Sequence, residues 1–98
     1  MSLRSKIDNK PRKRPRVLVV DDELNFRRAM WFMLRTEFDV TTMDNGDKAI
    51  EQIRQGVDFD VVSLDILMPG MSGTETLKAI KQWSPTAEVL IVTAYEDI

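Results

Sequence analysis

Short apolar runs recur along the chain and are separated by segments with a helical period. Val17–Val20, Val61–Leu67 and Val89–Thr93 are three such runs, and a weaker fourth run spans Phe38–Thr42. Runs of this length without strict alternation are typical of strands buried on both faces of a parallel sheet. The pattern therefore predicts four strands, of which the first, third and fourth are buried.

Three segments between these runs carry apolar residues at the spacing of one helix face. The first lies between the first two strands. The second follows the turn signal Asn45-Gly46 and ends near Gly56, and the third runs from about Gly73 to Trp83, where Ser84-Pro85 stops it. The residues expected to face the core are Phe26, Ala29, Met30, Met33 and Leu34 in the first helix, Ala49, Ile50 and Ile53 in the second, and Leu77 and Ile80 in the third.

Strands that alternate with helices of about ten residues indicate repeated βαβ units. Such units build a parallel sheet with helices on both faces, joined by right-handed crossovers. We therefore predict an α/β fold with a doubly wound parallel sheet. In sheets of this kind, ligands bind beyond the carboxyl ends of the strands, where the strand order reverses.

Polar residues stand where three of the predicted strands end. Asp21 and Asp22 follow the first strand, Asp65 lies at the end of the third, and Thr93 lies at the end of the fourth. Two like charges 4 Å apart repel by about 4 kcal/mol at an effective dielectric constant of 20, so three converging carboxylates need a cation or a proton. Carboxylate oxygens favour Mg²⁺ or Mn²⁺ over zinc. An acidic crevice that holds magnesium beside a hydroxyl is suited to phosphoryl transfer, with one carboxylate as a candidate nucleophile.

The composition excludes several other kinds of chemistry. The sequence has no cysteine and no histidine, which excludes disulfides, zinc–thiolate sites and Ser-His-Asp triads. The sequence contains no apolar run of the roughly 18 residues that a membrane helix needs, and its first residues lack the apolar core of a signal peptide. We therefore expect a soluble cytoplasmic protein.

The net charge of −2 conceals two different segments. Seven basic residues and one aspartate occupy residues 1–16, whereas the rest of the chain carries 7 basic and 15 acidic residues. The sequence Lys10–Arg16 has no apolar face to bury. We expect residues 1–15 to form a disordered basic leader ahead of one domain at 16–98. Contact of this leader with nucleic acid or an acidic surface is the less favoured alternative.

Three motifs in order resemble the receiver domain of two-component response regulators. They are Asp21-Asp22-Glu23 after the first strand, Leu64–Gly73 and Val89–Ala94. The resemblance covers residues 16–98 and implies a flavodoxin-like fold with strand order 2-1-3-4-5. Four of the five βα units of that fold are present. The implied function is that of a phosphoacceptor signalling module, which is not an enzyme beyond catalysing its own phosphorylation and dephosphorylation.

The resemblance also implies a role for each matching position. Asp65 accepts the phosphoryl group from a phosphohistidine on a sensor histidine kinase or a phosphotransfer protein. Asp22 and Asp65 bind Mg²⁺ directly together with the backbone carbonyl of Leu67, and Asp21 holds the metal mostly through water. The hydroxyl of Thr93 is the switch that moves to the phosphoryl oxygen. In the loop after the third strand, we expect Gly73 to adopt a positive φ.

One feature of the receiver family is missing from this sequence. The family has a lysine at the end of a fifth strand, whereas this sequence ends at Tyr95–Ile98. We therefore expect the domain to lack strand five and helix five, so that the open sheet edge self-associates or takes a completing segment. Contact with nucleic acid would come only through an unseen output domain.

Two other functions are compatible with the acidic crevice. A magnesium-dependent phosphohydrolase could form an aspartyl phosphate, although such enzymes carry an Asp-x-Asp pattern on the first strand. A receiver-like interaction module that is never phosphorylated is the third possibility. Trp31 and Phe32 flank the predicted core face of the first helix, so they belong either to a wide, partly buried face or to a surface that docks the phosphodonor.

Overall fold

The structure is a computed structural model that describes residues 14–67 and 72–92. The predicted leader lies outside these residues apart from its last two positions. The predicted switch residue Thr93 also lies outside the described residues.

The described strands form one parallel sheet, in which the second strand of the chain lies at one edge, followed by the first, the third and the fourth. The register pairs Val20 of the first strand with Met43 of the second and with Leu64 of the third. The order of the first four strands is the one that the resemblance implied. The strands are β1 (Arg16–Val20), β2 (Asp39–Met43), β3 (Val61–Leu64) and β4 (Glu88–Ile91).

Three helices connect these strands, and a side chain caps the start of each one. Glu23, Asn45 and Ser72 are the N-cap residues, and Ser72 forms a capping box with Glu75. These side chains satisfy backbone N–H groups that the first helical turn leaves without partners. The helices are α1 (Leu24–Leu34), α2 (Gly46–Arg54) and α3 (Gly73–Trp83). In the described part of the chain, none is long and apolar enough to span a membrane.

The core lies between the sheet and helices α2 and α3. The buried side chains come from the strands and from the predicted inner faces of these two helices, with Leu77 partly buried beside them. Gly56 follows α2 with a φ of +95°, which agrees with its predicted place at the helix end. The buried cluster contains Leu18, Val20, Ala49, Ile50, Ile53, Phe59, Val62, Leu64, Ile80 and Ala87.

The opposite face of the sheet is more open than the sequence predicts. Every residue of α1 is described and none is buried, and Met33 on its predicted inner face is 63% exposed. Leu90 in β4 is 58% exposed. The prediction of a buried fourth strand is therefore wrong for the described structure, and the predicted α1 stripe is partly buried at Phe26, Met30 and Leu34 but exposed at Ala29 and Met33. Among the described strands β4 lies at the sheet edge, which accounts for the exposure of Leu90, because an apolar run does not reveal whether a neighbour covers it.

Helices α2 and α3 approach each other closely at Gly46 and Thr76. A Cβ added to Gly46 would lie 2.2 Å from Oγ1 of Thr76. Thr76 is fully buried, and its hydroxyl donates a hydrogen bond of 2.9 Å to the carbonyl of Ser72. The close contact between the two helices therefore requires glycine at position 46, and the buried side chain of Thr76 has little room to move away from an added methyl group.

We predict that Gly46→Ala lowers the free energy of unfolding by about 1–3 kcal/mol, the usual range for overpacking a core. Urea denaturation measures the change. Thr76→Ala is the matched variant because it removes the hydroxyl that the new methyl group would meet. The double variant should lose less than the sum of the two single losses, since the residues share one contact. Additive losses would contradict the proposed steric origin.

Candidate metal centre

The turn after β1 holds Asp21 through its backbone and its side chain. The backbone N–H of Asp21 donates to the carbonyl of Met43 at 3.0 Å, which continues the β1–β2 ladder by one residue. Its Oδ1 accepts from the backbone N–H of Glu23 at 2.9 Å. Asp21 is 8% exposed, whereas Asp22 beside it is exposed. One carboxylate is thus fixed below the surface and the next faces the opening.

Glu23, and not an aspartate, caps helix α1. Its side chain accepts from the backbone N–H of Phe26 at 2.7 Å. An aspartate pair before a helix would ordinarily be read as a cap. Because Glu23 fills that place, the carboxylates of Asp21 and Asp22 are left for another purpose.

Asp65 is held in the same manner at the end of β3. Its backbone N–H donates to the carbonyl of Val20 at 3.0 Å, and its Oδ1 accepts from the backbone N–H of Leu67 at 2.9 Å. The side chain is 8% exposed. The strand ends at Leu64, so the prediction of a strand as far as Leu67 was too long. Asp65 therefore lies in the turn beyond the sheet.

The three aspartates meet because β1 and β3 are adjacent and end at the same level. One carboxylate oxygen from each of Asp21, Asp22 and Asp65 lies within 4.8 Å of the others. An open cleft of about 340 Å³ runs beside them. Its lining residues are Asp21, Asp22, Glu23, Phe26, Asp65, Leu67 and Val92.

Burial and mutual repulsion disfavour the charged form of Asp21. Burial is the largest effect and raises the pKa of Asp21, and the negative charges of Asp65, Asp22 and Glu23 raise it further. The hydrogen bond from the Glu23 backbone lowers the same pKa and offsets part of this effect. A cation bound among the carboxylates would favour their charged forms. The donor set consists of oxygens alone, which fits Mg²⁺ or Mn²⁺.

Of the other two predicted site residues, the structure describes Leu67 but not Thr93. Leu67 lines the cleft and contacts Asp65 through its backbone N–H; binding of a metal by its carbonyl stays a prediction. Thr93 lies outside the described residues, but Val92 before it lines the cleft and donates to the carbonyl of Leu64 at 2.9 Å. The carboxyl end of β4 thus reaches the site.

Gly73 does not have the predicted positive φ. It is the first residue of α3, and among the described glycines only Gly56 has a positive φ. A Cβ on Gly73 would instead lie 2.2 Å from the Cα of Ile66. Close approach of α3 to the turn that carries Asp65 therefore requires glycine here.

Sequence reasoning missed Arg27. Its Nη1 donates to the carbonyl of Asp21 at 2.8 Å. Arginine one turn into a helix is an ordinary solvent-exposed residue, and only the closed turn brings this one back to the acidic site.

The chain matches a known protein family and several solved structures. The family of response regulator receiver domains matches residues 17–98. The chain belongs to this family. Its receiver domain is a phosphoacceptor signalling module of two-component systems, and its flavodoxin-like fold is confirmed by structural neighbours.

Two proteins illustrate how similar the receiver domain is to known members. The transcriptional regulatory protein ZraR of Klebsiella oxytoca is 42% identical over 83 residues, which are 84% of this chain and 18% of that protein. The crystal structure of the response regulator TrrA of Thermotoga maritima in complex with Mg²⁺–BeF has a TM-score of 0.76 at 37% identity. That match covers 84% of this chain and 71% of TrrA.

A further solved structure contains a kinase. A chain in the complex of the histidine kinase ThkA with TrrA matches with a TM-score of 0.75 at 36% identity, over 85% of this chain and 72% of that chain. The receiver domain spans about a fifth of the length of the first curated relatives that it matches.

We predict that Asp21→Asn stabilises the metal-free receiver domain at neutral pH, because it removes a buried negative charge. Since the folded-state pKa of Asp21 is raised, the wild-type domain binds this proton more readily when folded. The advantage of the variant should therefore shrink as the pH falls from neutral toward about 4, where aspartates ordinarily titrate. Urea denaturation in EDTA at several pH values measures it.

Asp44→Asn is the control for this pH dependence. The pKa of Asp44 is lowered, chiefly by its hydrogen bond from Lys48, so the sign of the effect reverses. This variant should be no more stable than the wild type at neutral pH. An advantage of Asp21→Asn that grows on acidification would contradict the raised pKa.

Proposed function

We propose that this receiver domain takes a phosphoryl group from a phosphohistidine onto Asp65 in a Mg²⁺-dependent reaction that the domain itself catalyses. The observation that carries the proposal is the meeting of three carboxylates within 4.8 Å at the ends of two adjacent strands. The sequence has no cysteine or histidine, and these are the side chains that zinc sites chiefly use. Mg²⁺ suits the site best, with Mn²⁺ as a substitute.

The proposed metal ligands are the side chains of Asp22 and Asp65 and the carbonyl of Leu67, with Asp21 acting mostly through water. When bound, Mg²⁺ supplies positive charge that offsets the charges of the carboxylates and of the phosphoryl oxygens. The TrrA complex with Mg²⁺–BeF supports this assignment by similarity. The burial of Asp21 and Asp65 keeps both carboxylates in place before the phosphodonor arrives.

The phosphoryl transfer needs one free oxygen on Asp65. Asp65 has to offer only one carboxylate oxygen to the metal, so its second oxygen can attack phosphorus. The new O–P bond forms as the P–N bond to the imidazole of the donor breaks, and the imidazole nitrogen keeps the electron pair. The product is an acyl phosphate on Asp65.

We assign the conformational response to phosphorylation to the hydroxyl of Thr93. Val92 before it lines the cleft, which places the carboxyl end of β4 near Asp65. We propose that the hydroxyl of Thr93 donates to a phosphoryl oxygen and shifts the chain around it. Such a switch depends on two arrangements that differ by a few kcal/mol.

A sensor histidine kinase or a phosphotransfer protein is the proposed donor. The kinase complex of TrrA supports this partner by similarity. β4 lies at the edge of the sheet that the described residues form, and we propose self-association or a completing strand at this edge.

Phosphorylation by acetyl phosphate tests the proposed acceptor. We predict that the wild-type domain gains one phosphoryl group in the presence of Mg²⁺, and that EDTA or Asp65→Asn abolishes the gain. An acyl phosphate hydrolyses at alkaline pH, so the label should be lost there. Intact-mass spectrometry measures both results. Asp47→Asn, an exposed aspartate in the first turn of α2, is the matched control and should be labelled like the wild type.

The same experiment separates the alternative functions. Turnover of added phosphomonoesters, together with a label that forms and decays, would favour the phosphohydrolase. No label on a folded domain that still binds Mg²⁺ would favour an interaction module that is not phosphorylated. Labelling of Asp65→Asn would show that another residue is the acceptor.

A surface on α1 is the second feature that favours a protein donor. Trp31 is 48% exposed and Phe32 is 63% exposed, so both side chains are partly buried and are also open to a partner. The guanidinium of Arg35 lies 5.3 Å from the Trp31 ring centre and 4.6 Å from the Phe32 ring centre. Exposed aromatic side chains with an arginine are frequent in protein interfaces.

We predict that Phe32→Ala slows phosphotransfer from a histidine kinase about tenfold and leaves labelling by acetyl phosphate unchanged. The reason is that the small donor does not need the α1 surface. Comparison of the two rates, with the free energy of unfolding as a control, measures the effect. Equal losses in both rates and in stability would contradict a docking role.

A further inference from the structure

Arg27 closes the turn that follows β1 and carries Asp21 and Asp22. Its backbone N–H donates to the carbonyl of Glu23 at 3.1 Å, as the first turn of α1 requires. Its side chain reaches further back, and Nη1 donates to the carbonyl of Asp21 at 2.8 Å. One residue therefore joins the helix to both ends of the Asp21–Glu23 segment.

The carbonyl that Arg27 binds belongs to the peptide group between Asp21 and Asp22. A peptide group is planar, so fixing this carbonyl also fixes the direction in which the chain enters Asp22. The backbone N–H of Asp21 donates to the carbonyl of Met43, and its Oδ1 accepts from the backbone N–H of Glu23. The helix does not bind this carbonyl, because its first backbone bond goes to Glu23. Arg27 thus supplies the hydrogen bond that sets the two carboxylates relative to each other.

The charge of Arg27 by itself would act against a bound cation. A guanidinium and Mg²⁺ are both positive, and two positive charges repel. Removing the charge alone would therefore strengthen Mg²⁺ binding. Removing a hydrogen bond that positions the carboxylates would weaken it. These two effects have opposite signs, so a measurement of affinity distinguishes them.

We propose that Arg27 is a positioning residue for the metal site, acting through the carbonyl of Asp21. The inference rests on the proposed Mg²⁺-dependent function. Residues that orient metal ligands typically change metal affinity by 10–100-fold when mutated. Because the contact of Arg27 is to the backbone beside the ligands, we expect the lower end of this range.

Titration of the whole chain with MgCl₂ in a calorimeter tests the proposal. Arg27→Met keeps most of the aliphatic stem and removes the donor, and it should bind Mg²⁺ about tenfold more weakly than the wild type. Arg28→Met is the matched control. Arg28 is the next residue of α1 and is exposed, so this variant removes the same charge and should bind Mg²⁺ as tightly as the wild type or slightly more tightly.

The free energy of unfolding in EDTA is measured for the same variants. If Arg27→Met lowers stability but leaves the Mg²⁺ dissociation constant unchanged, the role is purely structural and the proposal is overturned. An affinity equal to or greater than that of the wild type overturns it in the same way. If Arg27→Met does not fold, Arg27→Gln replaces it with the same expected loss, because glutamine is too short to bridge the turn.

Failure of the proposed function gives a different result. In that case the wild-type chain and Arg28→Met would show no Mg²⁺ binding at all, and the role of Arg27 would fall with the metal site. If the wild-type chain binds Mg²⁺ and Arg27→Met has the same Mg²⁺ dissociation constant, only the role of Arg27 is rejected and the proposed function stands.

Discussion

Repulsion among three carboxylates at the end of two neighbouring strands is the constraint that organises this domain. Asp21, Asp22 and Asp65 offer oxygens within 4.8 Å of one another, and the pKa of Asp21 is raised by its burial and by its acidic neighbours. The rest of the fold has to hold these groups together without a covalent link. Packing elsewhere has to offset the stability that this repulsion costs. Most of that packing is in the core between the sheet and helices α2 and α3.

A repeated hydrogen bond at the carboxyl edge of the sheet provides the necessary rigidity. The first residue after three of the strands donates its backbone N–H to the last carbonyl of the neighbouring strand: Asp21 to Met43, Asp65 to Val20, and Val92 to Leu64. The ladder thus runs one residue past each strand. Because the backbone is fixed at these points, the next groups along the chain can form turns without moving the functional residues.

The two faces of the sheet differ in how completely they are packed. On one side, small residues allow close contacts, as at Gly46 against Thr76 and at Gly73 against Ile66. On the other side, α1 has no buried residue, and Leu90 of β4 is largely exposed. The site lies between a rigid side and an open side. Such an arrangement suits a module whose chemistry is fixed and whose exposed surface responds to partners.

Much of this could be predicted from the sequence, because the relevant signals are local. The βαβ alternation, the inner residues of α2 and α3, and the placement of Asp21, Asp22 and Asp65 at strand ends follow from periodicity and from the rule that parallel strands end together. Other features depended on partners distant in the sequence. The exposure of Met33 and Leu90 depends on which element covers them, and the side chain of Arg27 finds the Asp21 carbonyl only after the turn has formed. Gly73 also depended on a partner that the sequence does not reveal. A glycine can be required by a positive φ or by a close neighbour, and the sequence does not distinguish the two. The packed structure shows that the reason is the neighbour Ile66.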